Sequence, residues 1–583
     1  MLRTHTCGQL TDQDLNREVV LCGWVASRRD HGKIIFIDLR DRYGITQIVF
    51  FPKPTPQVYE QAKKLGSEYV IKVKGMVNER PQGTENPKIP TGFIEVLAQE
   101  LELLNPASEL AFTIDDDIEV GEETRLLHRY LDLRRKKMLE KLVLRHKFNQ
   151  AARKYLDSQE FLEIETPFLT KSTPEGSRDY LVPSRLNPNK FYALPQSPQL
   201  FKQILMVSGM DKYYQVVRCF RDEDLRKDRQ PEFTQLDIEM SFVQETDIMS
   251  LAENIIAFGF REVLGKEIKT PFLRIPYQEA MEKYGTDKPD LRFELKLNDV
   301  TDILQKSDFD IFKKAPVIKC INAEKCANFS RKELDELLEI AKTYKAKGLV
   351  TMKVMKDKIE SNVAKYIDEK LQKELLKRAN AKDGDLLLIV ADNFNIVHCS
   401  LGAIRNELGK KLKLTDPKDF RFCWIVDFPL FAWNDEEQKW EAEHHIFTMP
   451  KKEHLQYLEK DPSKVHAQCY DMVLNGVELA SGSIRIHRQD IQEKVMKVIG
   501  LEKKDAERKF GFLLEAFKYG APPHGGFAPG IDRLVALMLG INDIREVIAF
   551  PKNKNAENPM DGCPTLPEEK TLKELHMKFD VKK

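Results

Sequence analysis

From residue 1 to about 103, apolar and polar positions alternate with a period of two. The runs VVLCGWVASRR (from Val19), KIIFIDLRD (from Lys33), GITQIVFF (from Gly44), VIKVKGMV (from Val70) and FIEVLAQEL (from Phe93) each read as a strand with one face packed and one wet. A helical stretch, YEQAKKLG from Tyr59, separates the third run from the fourth. Five strands with that insertion predict a small OB-type barrel, which reads single-stranded nucleic acid by stacking and edge contacts.

Beyond it, Asn105 to Glu123 contains NPASEL and the acidic run Asp115 to Asp117, and reads as a linker. Apolar residues then recur at threes and fours from Lys136 to about Asp157, predicting a helix, and an extended stretch follows through Pro167. In CFRDEDLRKDRQPEFTQLDIEMSF, from Cys219, apolar segments flank a charged centre and predict two strands joined by a long polar loop. Residues 290–420 alternate helix-like (KELDELLEIAKTYKAK, from Lys332) and strand-like (GDLLLIVAD, from Gly384) segments, an inserted α+β module with no evident chemistry. Strands return from about Phe422. In GGFAPGIDRLVALMLG, from Gly525, small residues lead into an apolar run suited to a buried helix. The polar tail from Asn553 to Lys583 is expected on the surface.

The chain has 583 residues, room for three or four domains of roughly 150 residues each. Basic and acidic residues number 92 each, so no global field attracts RNA and nucleic-acid contacts must be local. Arg125 to Lys154, with 11 basic and 2 acidic residues, is one candidate patch. Nine cysteines without a CxxC pair argue against a zinc site or disulfide scaffold and fit a reducing cytoplasm. MLRTHTCGQL has no apolar signal core, and no apolar run nears the ~20 residues that span a bilayer. A cytoplasmic protein without membrane contact is expected.

Candidate chemistry sits in two stretches far apart in the chain. The first packs Arg221, Glu223, Arg226, Arg229 and Glu239 around Phe233. An arginine at a strand end facing a cleft suits a phosphate, because its fork makes two parallel hydrogen bonds. A solvated charged hairpin is the competing reading. In the second stretch Arg533 falls at the start of the predicted helix, where dipole and free amides favour anions, and the glycines would let backbone approach a flat ligand. FRDE resembles motif 2 of the class II aminoacyl-tRNA synthetases, GIDR motif 3, and FLEIETPFLT (Phe161 to Thr170, with Pro167) motif 1. Over nearly its whole length the chain resembles the bacterial-type aspartate–tRNA ligases of that class.

The resemblance implies an α+β multidomain fold. It comprises an OB-fold anticodon-binding domain (1–104), a linker (105–135), an antiparallel-sheet catalytic domain in two parts (136–289 and 421–555), the inserted GAD-like module (290–420) and a C-terminal extension (556–583). Motif 1 implies a homodimer, although an ordinary helix–strand unit fits its pattern equally. The implied reaction has two steps. The carboxylate of L-aspartate attacks the α-phosphate of ATP, giving aspartyl-adenylate and pyrophosphate. A ribose hydroxyl of the tRNA's terminal adenosine then attacks the activated carbonyl. The first nucleophile is already ionised, so catalysis reduces to alignment and charge stabilisation.

By the same resemblance Arg221 holds the α-phosphate and Glu223 contacts the adenine or ribose side. Phe233 stacks under the adenine, with Arg533 over its other face and reaching the γ-phosphate. Asp222, Gln230, Gly530, Ile531 and Asp532 complete the ATP contacts. Asp471 and Glu478 match Mg²⁺ carboxylates, hard ligands suited to a phosphate-bridging cation, although two surface acids would fit their spacing equally. The aspartate pocket takes Ser197, Gln199 and Lys202 from QSPQLFKQ, with Asp237 and Arg485. Lys202 and Arg485 would grip the β-carboxylate, and Asp237 would orient Lys202. Asparagine should be rejected, because a neutral amide leaves buried charge unpaired. Glu175, in STPEGSRDY, would meet the ammonium as that loop closes. His444, in EAEHHIF, matches a histidine near the substrate carboxylate, while His445 stays open. Two departures stand out: ELASGS replaces a run of glycines, where small side chains should preserve a tight turn, and Pro529 precedes GIDR.

In the barrel, Arg29, Phe36, Gln47 and Glu95 match anticodon contacts. Phe36 could stack on an unpaired base while the others address base edges, but the alternation IIFIDL equally allows a core aromatic. His31 stands where relatives that charge both tRNA-Asp and tRNA-Asn tend to carry histidine, so both tRNAs are expected substrates. A strict tRNA-Asp ligase is the alternative. An asparagine-specific ligase is disfavoured by Lys202, Asp237 and Arg485, and an inactive RNA-binding paralogue by the retention of Arg221 and Arg533. HIGH, KMSKS and GxxxxGK[ST] are absent, against class I synthetases and P-loop nucleotidases.

Overall fold

Each of the five alternating runs forms a strand in the computed structural model, which describes residues 1–173, 176–356 and 358–579. The strands Glu18–His31, Ile34–Arg40, Ile45–Phe50, Val70–Glu79 and Ile94–Asn105 close into a barrel in which the fifth lies between the third and fourth. Alternation sorts their side chains. Ile35, Ile37 and Leu39 are buried with Val19, Leu21, Val73 and Val96, while Phe36 and Asp38 take the opposite, outer face. Phe36 is therefore not a core aromatic. The barrel belongs to one compact unit, Met1–Val143 with Ala549–Thr565.

The second unit, Leu144–Ile548 with Leu566–Lys583, is built on an eight-stranded sheet. Its order is Leu273–Pro276, Phe422–Val426, Cys469–Leu474, Val477–Ile484, His524–Pro529, Glu232–Ser241, Lys212–Phe220 and Leu162–Glu163. The six inner strands are antiparallel, and the two edge strands add in parallel. The charged stretch after Cys219 is the connection between Lys212–Phe220 and Glu232–Ser241, as its pattern predicts. One face of the sheet packs Leu236, Ile238 and Trp424 against Phe148, Ile255, Phe260 and Leu534. Trp424 Nε1 donates to buried Glu253 Oε1 (2.9 Å), which also accepts from Phe272 N (3.1 Å), so this polar pair inside the core is satisfied.

Within the same unit, the insertion forms a five-stranded sheet of Leu297–Asp299, Val317–Ala323, Leu386–Asp392, Val350–Met355 and Lys358–Glu360. Leu387 and Ile389 enter one core, Leu386, Leu388 and Val390 another. Burial on both faces explains the unbroken apolar run of GDLLLIVAD. Among the described residues no helix is long and apolar enough to cross a membrane.

Gly526 shows what a motif 3 glycine does here. It pairs with Glu239 across adjacent strands, and a Cβ on it would overlap Ile238 O and Glu239 Oε2. The glycine serves close approach of two strands, not of a ligand as expected from sequence. Gly526→Ala should cost roughly 1–3 kcal/mol through overpacking. A melting temperature unchanged from the parent would contradict this packing.

Candidate active site

Strand alternation also builds the site. On Glu232–Ser241, Leu236 and Ile238 point into the core, so Phe233, Gln235 and Asp237 take the opposite face and line a cavity of about 660 Å³. The same cavity gathers Arg221, Glu223 and Gln230 from the polar loop, Ser197, Gln199 and Lys202 from the start of helix Gln199–Val207, and His444, Glu478 and Arg485. Gly530 and Arg533 reach it from the beginning of helix Ile531–Met538.

At one end lie four buried charges. Lys202 Nζ is 2.6 Å from Asp237 Oδ1 and 3.2 Å from Glu239 Oε2. Arg485 donates from Nε to Glu239 Oε1 (2.9 Å), from Nη2 to Oε2 (3.2 Å) and from Nη1 to Ser483 Oγ (2.6 Å). The expected cationic pair is thus half of a neutral set. The sequence pattern places Glu239 only among the charges around Phe233 and not in the aspartate pocket, though its place two residues beyond Asp237 puts it on the same face. Burial pushes the Asp237 carboxyl up against the pull of Lys202. Burial opposes ionisation of Glu239 too, but Arg485 and Lys202 hold it down to about 2. Gln199 Nε2 is buried without a hydrogen-bond partner.

At the other end the Arg221 guanidinium lies 5.0 Å from the Phe233 ring centroid, and its buried Nε has no partner. Arg533 donates to Glu478 O (3.1 Å) and Asp228 Oδ2 (3.2 Å). Arg221 therefore lies over the Phe233 ring in this structure. Glu223 accepts from Ser177 Oγ and from Arg229 Nη1 (2.9 Å). Asp222 is off the cavity wall, 3.6 Å from Arg178. Ile531 is wholly buried in the core, so its side chain is out of reach of a ligand. Asp532 accepts from Thr234 N (2.8 Å) and from Arg145, tying the helix start to the central strand. Glu175 lies outside the described residues.

The strands Cys469–Leu474 and Val477–Ile484 turn at Asn475 and Gly476, both with positive φ. ELASGS is accordingly extended strand rather than the expected tight turn. The hairpin brings Asp471 opposite Ser481, with a bulge after Met472 displacing Glu478. Asp471 is buried with Oδ1 partnerless; burial, and then Glu478, raise its pKa well above the usual range. Burial disfavours the Glu478 charge, but Lys288 Nζ, 2.9 Å from Oε2, holds its pKa below normal. No local signal marked Lys288, which is remote from Glu478 in sequence. His444 packs edge-on to Phe428 (4.5 Å) and opens to the cavity, although the protein mass around it lowers its pKa. Ligand atoms of His444, Cys469 and Asp471 lie within 4.8 Å of one another. Burial raises the pKa of the Cys469 thiol. His445 Nδ1 accepts from Phe447 N (3.2 Å); burial and then Arg485 lower its pKa to about 3.

On the barrel, Arg29 stands opposite Phe36 and donates to Asp38 Oδ1 (2.9 Å) and Gln47 Oε1 (3.3 Å). Gln47 Nε2 donates to Glu95 Oε2 (2.9 Å), whose pKa is raised by burial. His31 meets Phe36 edge-on at 6.1 Å. Arg80, absent from the sequence reading, donates to Ile94 O (3.0 Å) and keeps a buried Nη2 without a partner.

A mainly antiparallel sheet bearing the motif 2 and motif 3 arginines around one cavity, with a separate OB barrel, defines a class II aminoacyl-tRNA synthetase. The sequence matches the family described as tRNA synthetases class II (D, K and N) over residues 121–554, and OB-fold nucleic acid binding domains over 19–104. The chain belongs to the D, K and N family of class II tRNA synthetases. An aspartate–tRNA(Asp/Asn) ligase of Aquifex aeolicus is 54% identical, covering 99% of this chain and 98% of its own. An aspartate–tRNA ligase of Ruminiclostridium cellulolyticum is 51% identical with the same coverage. The fold is also that of the asparaginyl-tRNA synthetase of Pyrococcus horikoshii complexed with asparaginyl-adenylate, with TM-score 0.59, 21% identity, and 94% and 98% of the two chains covered.

The depressed His445 pKa has a pH consequence. Between the ordinary value of about 6.5 and about 3, the unfolded chain binds a proton that the folded protein excludes. Stability from this site is present above 6.5 and lost as pH falls. His445→Asn should flatten the melting temperature against pH over that window; an unaltered slope would remove His445 as a cause.

Proposed function

We propose that the enzyme attaches L-aspartate to tRNA-Asp and tRNA-Asn through aspartyl-adenylate, with ATP as co-substrate. The observation carrying this reading is one cavity that holds Arg221 and Arg533 at one end and the Lys202–Arg485 nook at the other. Aspartate binds with its β-carboxylate on Lys202 and Arg485, and Gln199 and Ser197 contribute polar contacts beside it. Its α-carboxylate then faces the α-phosphate, which Arg221 holds. Phe233 offers its ring to the adenine once the Arg221 guanidinium turns toward phosphate, and Arg533 receives the distal phosphates. Pre-placed cations need little rearrangement as charge shifts to the pyrophosphate. Asp471 and Glu478 would hold Mg²⁺: the partnerless Asp471 Oδ1 and the paired carboxylates fit such an ion, which supplies charge neutralisation on the phosphates. Glu175 remains a candidate for the ammonium.

Exposed Leu162, Phe168 and Leu169 in motif 1 support a homodimer, and nine free cysteines a cytoplasmic enzyme. On the barrel, Phe36 stacks on an anticodon base, while Arg29, Gln47, Glu95 and Arg80 address base edges. His31, beside Phe36, supports acceptance of both tRNAs, in keeping with the Asp/Asn relatives.

ATP–pyrophosphate exchange should run with aspartate alone among the amino acids; exchange with asparagine, or none, would overturn the assignment. Arg221→Ala should slow exchange by about 10²-fold or more while tRNA affinity is kept. Transcripts with GUC and GUU anticodons should both be charged, and Phe36→Ala should raise the KM for each while leaving exchange intact. A GUU transcript left uncharged would restrict the enzyme to tRNA-Asp.

A further inference from the structure

The insertion is more than an appendage. Its helix Phe394–Lys411 meets the end of helix Tyr277–Tyr284 so closely that a Cβ on Gly285 would overlap the His398 carbonyl and the Gly402 backbone. From that helix Arg405, fully buried, donates from Nη2 to the carbonyls of Asp290 (2.8 Å) and Phe293 (2.7 Å), and from Nε to that of Leu295 (2.9 Å). Its guanidinium also lies 4.1 Å from the Phe293 ring centroid. These bonds satisfy the carbonyls of an irregular segment that would otherwise need water. The segment runs beside the active site. Asp290, gripped by Arg292 Nε (2.9 Å) and Nη2 (2.6 Å), packs on Gly476 in the turn of the hairpin that carries Asp471 and Glu478. Two residues earlier, Lys288 enters the cavity and pairs with Glu478 at 2.9 Å.

We infer that the inserted module positions the ATP end of the site: Arg405 fixes segment 288–295, and through Lys288 that segment sets the orientation of Glu478. The inference rests on the ATP-dependent reading above. Lys288 is a positioning residue here, and Arg405 acts through it.

A double-mutant cycle tests it. Lys288→Met and Arg405→Lys, which keeps the charge but loses the fork, should each raise the KM for ATP about tenfold with the aspartate KM unchanged, and the double variant should be no worse than Lys288→Met. Each should equally weaken the rise in melting temperature that ATP produces without aspartate. If Arg405→Lys folds poorly, Arg292→Gln, which frees Asp290, takes its place in the cycle. Effects that multiply in the double variant, or that fall alike on both substrates, would reduce Arg405 to a structural staple and overturn the inference. Absence of exchange in the unsubstituted enzyme would instead remove the ATP-dependent reading itself.

Discussion

The site depends on the neutrality of four buried charges. Lys202 and Arg485 sit in protein mass where a lone cation would carry a desolvation cost of several kcal/mol. Asp237 and Glu239 offset that cost, and they do so from one strand at alternate positions. The pairing therefore joins helix Gln199–Val207, the central strand Glu232–Ser241 and the residue following strand Val477–Ile484 into one wall. Removing one partner would strand its counter-charge, at about 3–5 kcal/mol for a buried pair. The result is a nook without net charge whose cavity-facing donors are cationic and already oriented. On the proposed reading, a side-chain carboxylate would be selected by these pre-placed N–H groups, which an amide could not satisfy as fully, rather than by a surplus of positive charge.

That distinction bears on what was legible in the sequence. The family resemblance implied Lys202, Asp237 and Arg485, and the structure brings them together. Strand periodicity would have added Glu239: carried from Phe233 through Gln235 and Asp237, a period of two reaches it. The glycines before Arg533 were read as ligand-facing because glycine permits any close approach; only cross-strand register tells that Gly526 faces Glu239. Arg221, at the adjacent strand end, lies over the Phe233 ring, a cation–π contact that the sequence pattern does not announce, while Arg533 pairs with Asp228. Lys288 could not be found from local pattern, since its role exists only where two distant segments meet.

The barrel was nearly transparent, because a single closed layer makes burial a direct function of residue parity. Phe36 was ambiguous only while its register was unknown; with Ile35 and Ile37 inside, it must face out. Arg80 was invisible for the opposite reason. It lies just past the fourth strand, Val70–Glu79, where parity no longer constrains direction, and its inward bond to Ile94 O places it beside Glu95.

Topology explains why an insertion should occupy the point where it can influence the site. Strands Leu273–Pro276 and Phe422–Val426 are parallel neighbours at the sheet edge, and a parallel pair cannot be joined by a tight turn. A crossover was required there in any case, so a long module could replace a short connection without disturbing the inner strands. Phe422–Val426 pairs directly with Cys469–Leu474, the strand that carries Asp471. The chain returning from the module therefore re-enters the sheet next to the hairpin of Asp471 and Glu478, and on the path into the module Lys288 lines the cavity. Once the module is anchored by the Gly285–Gly402 contact and the Arg405 bonds, the ammonium beside Glu478 is held by a folded body rather than by a free loop. The entropy of fixing it is borne by the module's own core, and the nucleotide end of the site is organised before any substrate arrives.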